Sequence, residues 1–131
     1  MDRLFLDANI LFSAAYRSDA GLRRLWRLPA AKLITSTYAS LEARRNLNNS
    51  QCDELDVLLR EVEVIDLVPP AYFMETLPDL AEKDRPILFA AVGAKASHLI
   101  TGDITHFGPF FGKKFKGVLI VSPADYLTQR R

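Results

Sequence analysis

The chain has little cysteine, little histidine and no long apolar run, and each shortage removes a class of function. Cys52 is the only cysteine, which excludes an intrachain disulfide and a thiolate metal cluster and suits a reducing compartment. His98 and His106 are the only imidazoles. His98 opens an apolar stretch and Cys52 lies in a polar helical one, so no nucleophile with a histidine base stands out. No apolar run approaches the roughly 20 residues of a membrane span. The opening MDRLFLDAN lacks the basic and apolar regions of a secretory signal, so the protein is expected to be soluble and cytoplasmic, with no membrane partner. There is no internal repeat, low-complexity tract or linker. The 131 residues, 49% of them hydrophobic, are therefore expected to form one domain, 1–131.

Net charge is only +1, but the total conceals segregation. Residues 1–49 carry eight basic and four acidic side chains, residues 50–84 two and ten, and residues 85–131 seven and two. Basic flanks around an acidic middle suit a polyanion approaching a negative site with help from a cation, although ordinary solvated faces have the same composition.

Apolar runs bounded by turn or cap residues predict five strands, at about Leu4–Leu6, Lys32–Thr35, Val62–Val68, His98–Thr101 and Val118–Val121. Helical character falls between them, at Ala8–Tyr16, Ala20–Leu28, Thr37–Asn48, Cys52–Glu61 and Arg85–Ala96. Alternation of this kind implies an α/β/α sandwich with a mainly parallel five-stranded sheet. Ser36 or Thr37 can cap the third helical stretch, and Asp84 before Arg85-Pro86 reads as an N-cap with proline in the first turn. Pro69, Pro70 and Pro78 make residues 69–83 a loop or one short helix, and residues 108–114 read as irregular.

Against that frame the acids are placed informatively. Asp7 closes the first strand and Asp103 follows the fourth, whereas Glu42 and Asp84 belong to helices flanking strands. Open parallel sheets gather ligands at the carboxyl ends of strands where strand order reverses, so a 3-2-1-4-5 order would face Asp7 and Asp103 into one crevice. Each acid also has an ordinary explanation. Asp84 could be a cap, Glu42 could pair with Arg45 or Lys32, and an aspartate at a strand end is a common turn residue. Converging carboxylates, however, repel unless a cation sits among them, and a hard divalent ion is the simplest candidate.

Asp7 in LDANILFSA, Glu42 in the helix after the second strand, Asp84 at the head of an alanine-rich helix and Asp103 in ITGDITHF together resemble the PIN-domain ribonucleases. The resemblance spans essentially the whole chain. It implies a PIN-like fold, a Mg²⁺ or Mn²⁺ cluster held by Asp7, Glu42, Asp84 and Asp103 as metal-binding catalytic residues, and cleavage of RNA. It also implies a bacterial toxin of the VapC-like kind, with an antitoxin protein as partner and a homodimeric state. Asn9 and Thr101 match polar positions that orient the first and last acids or the substrate. The Thr105-His106-Phe107 turn departs from many members, where a more acidic or lysine-bearing turn is frequent. His106 could touch phosphate or donate a proton, while packing beside Phe107, Phe110 and Phe111 is its ordinary alternative.

The expected chemistry is metal-assisted hydrolysis of RNA phosphodiesters, with water activated for in-line attack and Asp84 or Glu42 orienting it. Arg44 and Arg45, and Lys113, Lys114 and Lys116, are candidate phosphate contacts for RNA. Two alternatives stand beside this reading. One is a catalytically idle PIN-like module that binds protein or RNA. The other is an aspartyl-phosphate-type phosphatase, which DAN disfavours because it lacks a second carboxylate two residues on.

Overall fold

Leu4, Phe5 and Leu6 are fully buried, a run apolar on both faces, as expected of a central parallel strand covered by helices on each side. The computed structural model describes residues 1–75 and 80–129. They form a six-stranded sheet flanked by helices: β1 (Asp2–Leu6), α1 (Ala8–Tyr16), β2 (Ala31–Ser36), α2 (Thr37–Arg44), α3 (Asn49–Leu59), β3 (Val62–Ile65), α4 (Ala71–Glu75), α5 (Arg85–Gly93), β4 (His98–Ile100), α6 (Ile104–Phe107), β5 (Lys114–Phe115), β6 (Val118–Val121) and α7 (Pro123–Gln129). The expected helix over Ala20–Leu28 is instead a 3-10 segment, Gly21–Arg27. Pro78 lies outside the described residues.

The strand order is β3-β2-β1-β4-β6-β5, with every pairing parallel except the antiparallel β5–β6 edge. The expected 3-2-1-4-5 order holds for the five strands that the apolar runs mark. The expectation of five is corrected to six, because β5 comes from the stretch taken as irregular. A two-residue turn makes it: Lys116 and Gly117 both have positive φ, at 48° and 87°, as a primed hairpin turn requires.

α1 and α3 pack together, and α5 packs against β2 and β4; with the right-handed crossovers general to parallel sheets, this strand order puts α1 and α3 on one face and α5 on the other. Ser36 caps α2 by accepting from Ala39 N at 3.1 Å. Asn48 and Gln51 form a reciprocal capping box at the start of α3, so this helix begins at Asn49, ahead of the expected Cys52. Strand order reverses between β1 and β4, and the crevice outside their carboxyl ends is where such a sheet can hold a ligand.

Candidate metal centre

The four acids picked out from the sequence line one cavity of about 270 Å³, together with Asn9, Asn46 and Lys83. Its floor is set by backbone pairing. Leu6 is in register with Ile100, and Asp7 N donates to Ile100 O at 3.1 Å, which brings Asp7 beside Thr101.

Asp7 is only 3% exposed, and its two oxygens divide their work. Oδ1 accepts from Ala8 N at 2.6 Å as the cap of α1. Oδ2 accepts from Thr101 Oγ1 at 2.8 Å and from Asn9 Nδ2 at 3.1 Å. Burial pushes the Asp7 carboxyl up to about 6, with Asp84 and Asp103 adding repulsion, while hydrogen bonds from Thr101 and Ala8 hold it down. Asn9 completes the frame, because its Oδ1 accepts from Gly102 N at 2.9 Å. The fully buried Thr101 accepts in turn from Asp103 N at 3.1 Å. Asn9 and Thr101 thus tie the ends of β1 and β4 together.

Asp103 Oδ1 accepts from His106 N at 3.0 Å and caps α6. The ordinary turn-and-cap explanation is therefore half right for Asp7 and Asp103, since each spends one oxygen on a helix start. It fails for Asp84. That residue stands at the N-cap position of α5, with Pro86 in the first turn, yet its side chain makes no capping hydrogen bond. The residue, 5% exposed as a whole, belongs to the 3-10 turn Glu82–Asp84 and lines the cavity instead. Burial raises the Asp84 pKa first; His106 opposes the rise and Asp103 reinforces it. Glu42 enters from α2. The suggested surface pairing with Lys32 is not made, for Lys32 bonds Glu63 at 2.7 Å.

His106, read from the sequence either as a phosphate contact or proton donor or as a ring beside phenylalanines, stands between two carboxylates. Its Nδ1 lies 2.9 Å from Asp84 Oδ2 and 2.6 Å from Asp103 Oδ2. Neither approach is a hydrogen bond: His106 Nδ1 and Asp84 Oδ2 are buried atoms without a hydrogen-bond partner among the described residues. An orphaned carboxylate oxygen in an acidic cavity is a costly arrangement by itself and an ordinary one around a cation. The residues present therefore fit a divalent ion, and Asp84, Asp103 and His106 could hold one.

The expected basic contacts fare differently. Arg44 is paired with Asp56 on α3. Arg45 is exposed just past α2. Lys113, Lys114 and Lys116 lie along the β5 edge, and the Lys116 turn precedes Val118, at the end of the sheet away from the carboxylates. None of these lines the cavity, whereas Lys83 does. Sequence reading missed Lys83, though it adjoins Asp84, and missed Tyr38, whose hydroxyl donates to Lys83 O at 2.8 Å. Burial, and then the neighbouring Glu42, push the Tyr38 hydroxyl up to about 12. Asn46, also missed, lies in the turn just past the end of α2 and lines the same cavity.

No family model matches the chain, and no curated protein matches its sequence. Among solved structures it is similar to a chain in the crystal structure of VapBC2 from Rickettsia felis bound to a DNA fragment from their promoter. The TM-score is 0.69 over 92% of this chain and 98% of that one, at 16% identity. The likeness is one of fold: a mixed α/β architecture with a central sheet flanked by helices, similar to the PIN-domain fold. No helix among the described residues is long and apolar enough to cross a membrane.

Proposed function

We propose that this chain is a divalent-metal-dependent endoribonuclease of PIN type. The observation that carries the reading is the convergence of Asp7, Glu42, Asp84 and Asp103 on one cavity at the point where strand order reverses. These four would hold Mg²⁺ or Mn²⁺, which when bound supplies charge neutralisation at the phosphate and acidifies an attacking water. The protein's own part is positioning. Thr101 and Asn9 fix Asp7 so that Oδ2 faces Thr101 and the reversal point. Lys83 offers the cavity's cation to a phosphate oxygen, and Tyr38 holds the turn that carries Lys83 and Asp84.

The biological setting we propose is a cytoplasmic toxin with an antitoxin partner and a homodimeric state. It is supported by the resemblance of the acidic motifs and by the fold shared with a chain of a VapBC2 structure. An exposed apolar surface around Leu41, Leu67 and Val68, bordering a cavity of about 470 Å³, gives a protein partner something to cover.

The test is RNA cleavage by the purified protein. Cleavage should require added Mg²⁺ or Mn²⁺, stop in chelator, and fall by about a hundredfold or more in Asp7→Asn and in Asp103→Asn. Cleavage that persists in chelator and in both variants would overturn the mechanism. Metal-dependent RNA binding without cleavage by wild type would favour an idle binding module.

A further inference from the structure

We infer that His106 is itself a ligand of the cation, so that Asp84, Asp103 and His106 form a mixed nitrogen–oxygen subsite that favours first-row transition ions over Mg²⁺. This rests on the metal-dependent reading of the cavity and says which ion the cavity is built for.

Geometry is the first argument. Nδ1 lies 2.9 Å and 2.6 Å from one oxygen of each carboxylate. All three candidate ligand atoms fall within 4.8 Å of one another. Neighbouring ligands around a small six-coordinate ion, each at about 2.1 Å, stand about 3 Å apart. The two Nδ1–oxygen distances are therefore close to those of adjacent ligands on one ion.

Hydrogen bonding is the second. A hydrogen-bonded histidine would aim its N–H along the line to an oxygen. Here Nδ1 lies within ion-pair distance of both oxygens, yet Nδ1 and Asp84 Oδ2 are left buried without a hydrogen-bond partner among the described residues. A shared cation would satisfy both atoms at once. Asp84 Oδ2 belongs to a side chain only 8% exposed, so water has little access to relieve it.

The third argument is how the chain holds the ring. His106 N donates to Asp103 Oδ1, so the same aspartate anchors the backbone of His106 and faces its ring nitrogen. The α6 turn thereby fixes one oxygen and one nitrogen at adjacent positions, a pre-organised pair. Imidazole is a better ligand for transition ions than for Mg²⁺, which prefers oxygen and water. The remaining acids, Asp7 and Glu42, supply oxygen only.

The test uses two probes on the full chain. Pulsed electron paramagnetic resonance of the Mn²⁺-loaded wild type should show coupling to a directly bound nitrogen, and that coupling should vanish in His106→Gln. His98 is no alternative source, because its ring faces Tyr126 and Ser97 at the opposite end of β4. Calorimetry should show Co²⁺ bound more tightly than Mg²⁺ by wild type, with the preference falling by about tenfold or more in His106→Gln. Asp103→Asn should weaken both ions, which locates the binding. Mn²⁺ bound with no nitrogen coupling, in a wild type whose binding is lost in Asp103→Asn, would overturn the inference and leave the nuclease reading standing. Nitrogen coupling in a protein that cleaves no RNA would sustain the inference and overturn that reading. Failure of Mn²⁺, Co²⁺ and Mg²⁺ all to bind would overturn both.

Discussion

Two demands meet on the carboxylate of Asp7. It must accept hydrogen bonds from Ala8, Thr101 and Asn9, which a neutral amide satisfies poorly, and it must carry charge in a buried crevice, which the fold resists. Its pKa, raised from 3.8 to about 6 by burial, turns this into a pH dependence. The unfolded chain ionises Asp7 above about pH 4, while the metal-free fold keeps the proton until about 6, so within that window the fold binds more protons. Stability therefore falls as pH rises through the window. Above it the penalty is complete, at about 3 kcal/mol for a shift of about two pH units. Asp7→Asn removes that penalty but sets an amide donor against Asn9 Nδ2, a conflict of about 1–3 kcal/mol. In chelator the variant should melt at or above wild type at pH 8 and lose that advantage at pH 5. Added Mn²⁺ should then stabilise wild type more. A variant equally destabilised at both pH values would identify Asp7 as a structural cap alone. Thr101→Val should lower stability by about 1–3 kcal/mol, read by denaturant titration, because it strips buried Asp7 of its closest hydroxyl donor.

At the scale of elements, the site depends on where helices begin. Glu42 reaches the cavity because α2 starts at Thr37, fixed by the buried Ser36 cap. Ser36→Ala should destabilise the protein by about 1–2 kcal/mol and lower cleavage without abolishing metal binding. An unchanged melting temperature would show that packing rather than the cap sets this helix. The parallel strands were legible because their apolar runs have no polar alternation to confuse them, and strand order followed from alternation with helices. Capping chemistry was less legible. Asp84 has the residue type, position and following proline of a cap, and only the three-dimensional course of the Glu82–Asp84 turn shows its carboxylate pointing elsewhere. β5 escaped notice because two residues have no period, and Lys116-Gly117 lacks the asparagine or aspartate that usually marks such a turn. Asp7, Asp84 and Asp103 were legible because each stands at a recognisable strand end or helix start, whereas Glu42, inside α2, joined them through the family resemblance. His106 was named as a phosphate contact or proton donor but not placed among the acids, since its aromatic neighbours in sequence point toward packing and the α6 turn is what sets the ring beside Asp84 and Asp103.

Over the whole molecule, charge is segregated more usefully than its total of +1 suggests. Arg44 is engaged by Asp56, and the lysines of the β5 edge lie apart from the cavity, so Lys83 should be the phosphate contact that matters most for cleavage. Lys83→Gln should weaken RNA binding several-fold at low salt and reduce the salt slope by about one. Replacing Lys113, Lys114 and Lys116 together should change the cleavage rate at saturating RNA little. A triple variant that loses cleavage while Lys83→Gln retains it would move the RNA path to the β5 edge. The central claim, that four carboxylates from β1, α2, the turn before α5 and the end of β4 make one cation site, is tested most directly by anomalous X-ray scattering from crystals soaked in Mn²⁺. A peak inside the cavity, within about 2.5 Å of oxygens from at least two of Asp7, Glu42, Asp84 and Asp103, is the predicted result. Mn²⁺ found only on the outer surface, with the four side chains unmoved, would contradict it.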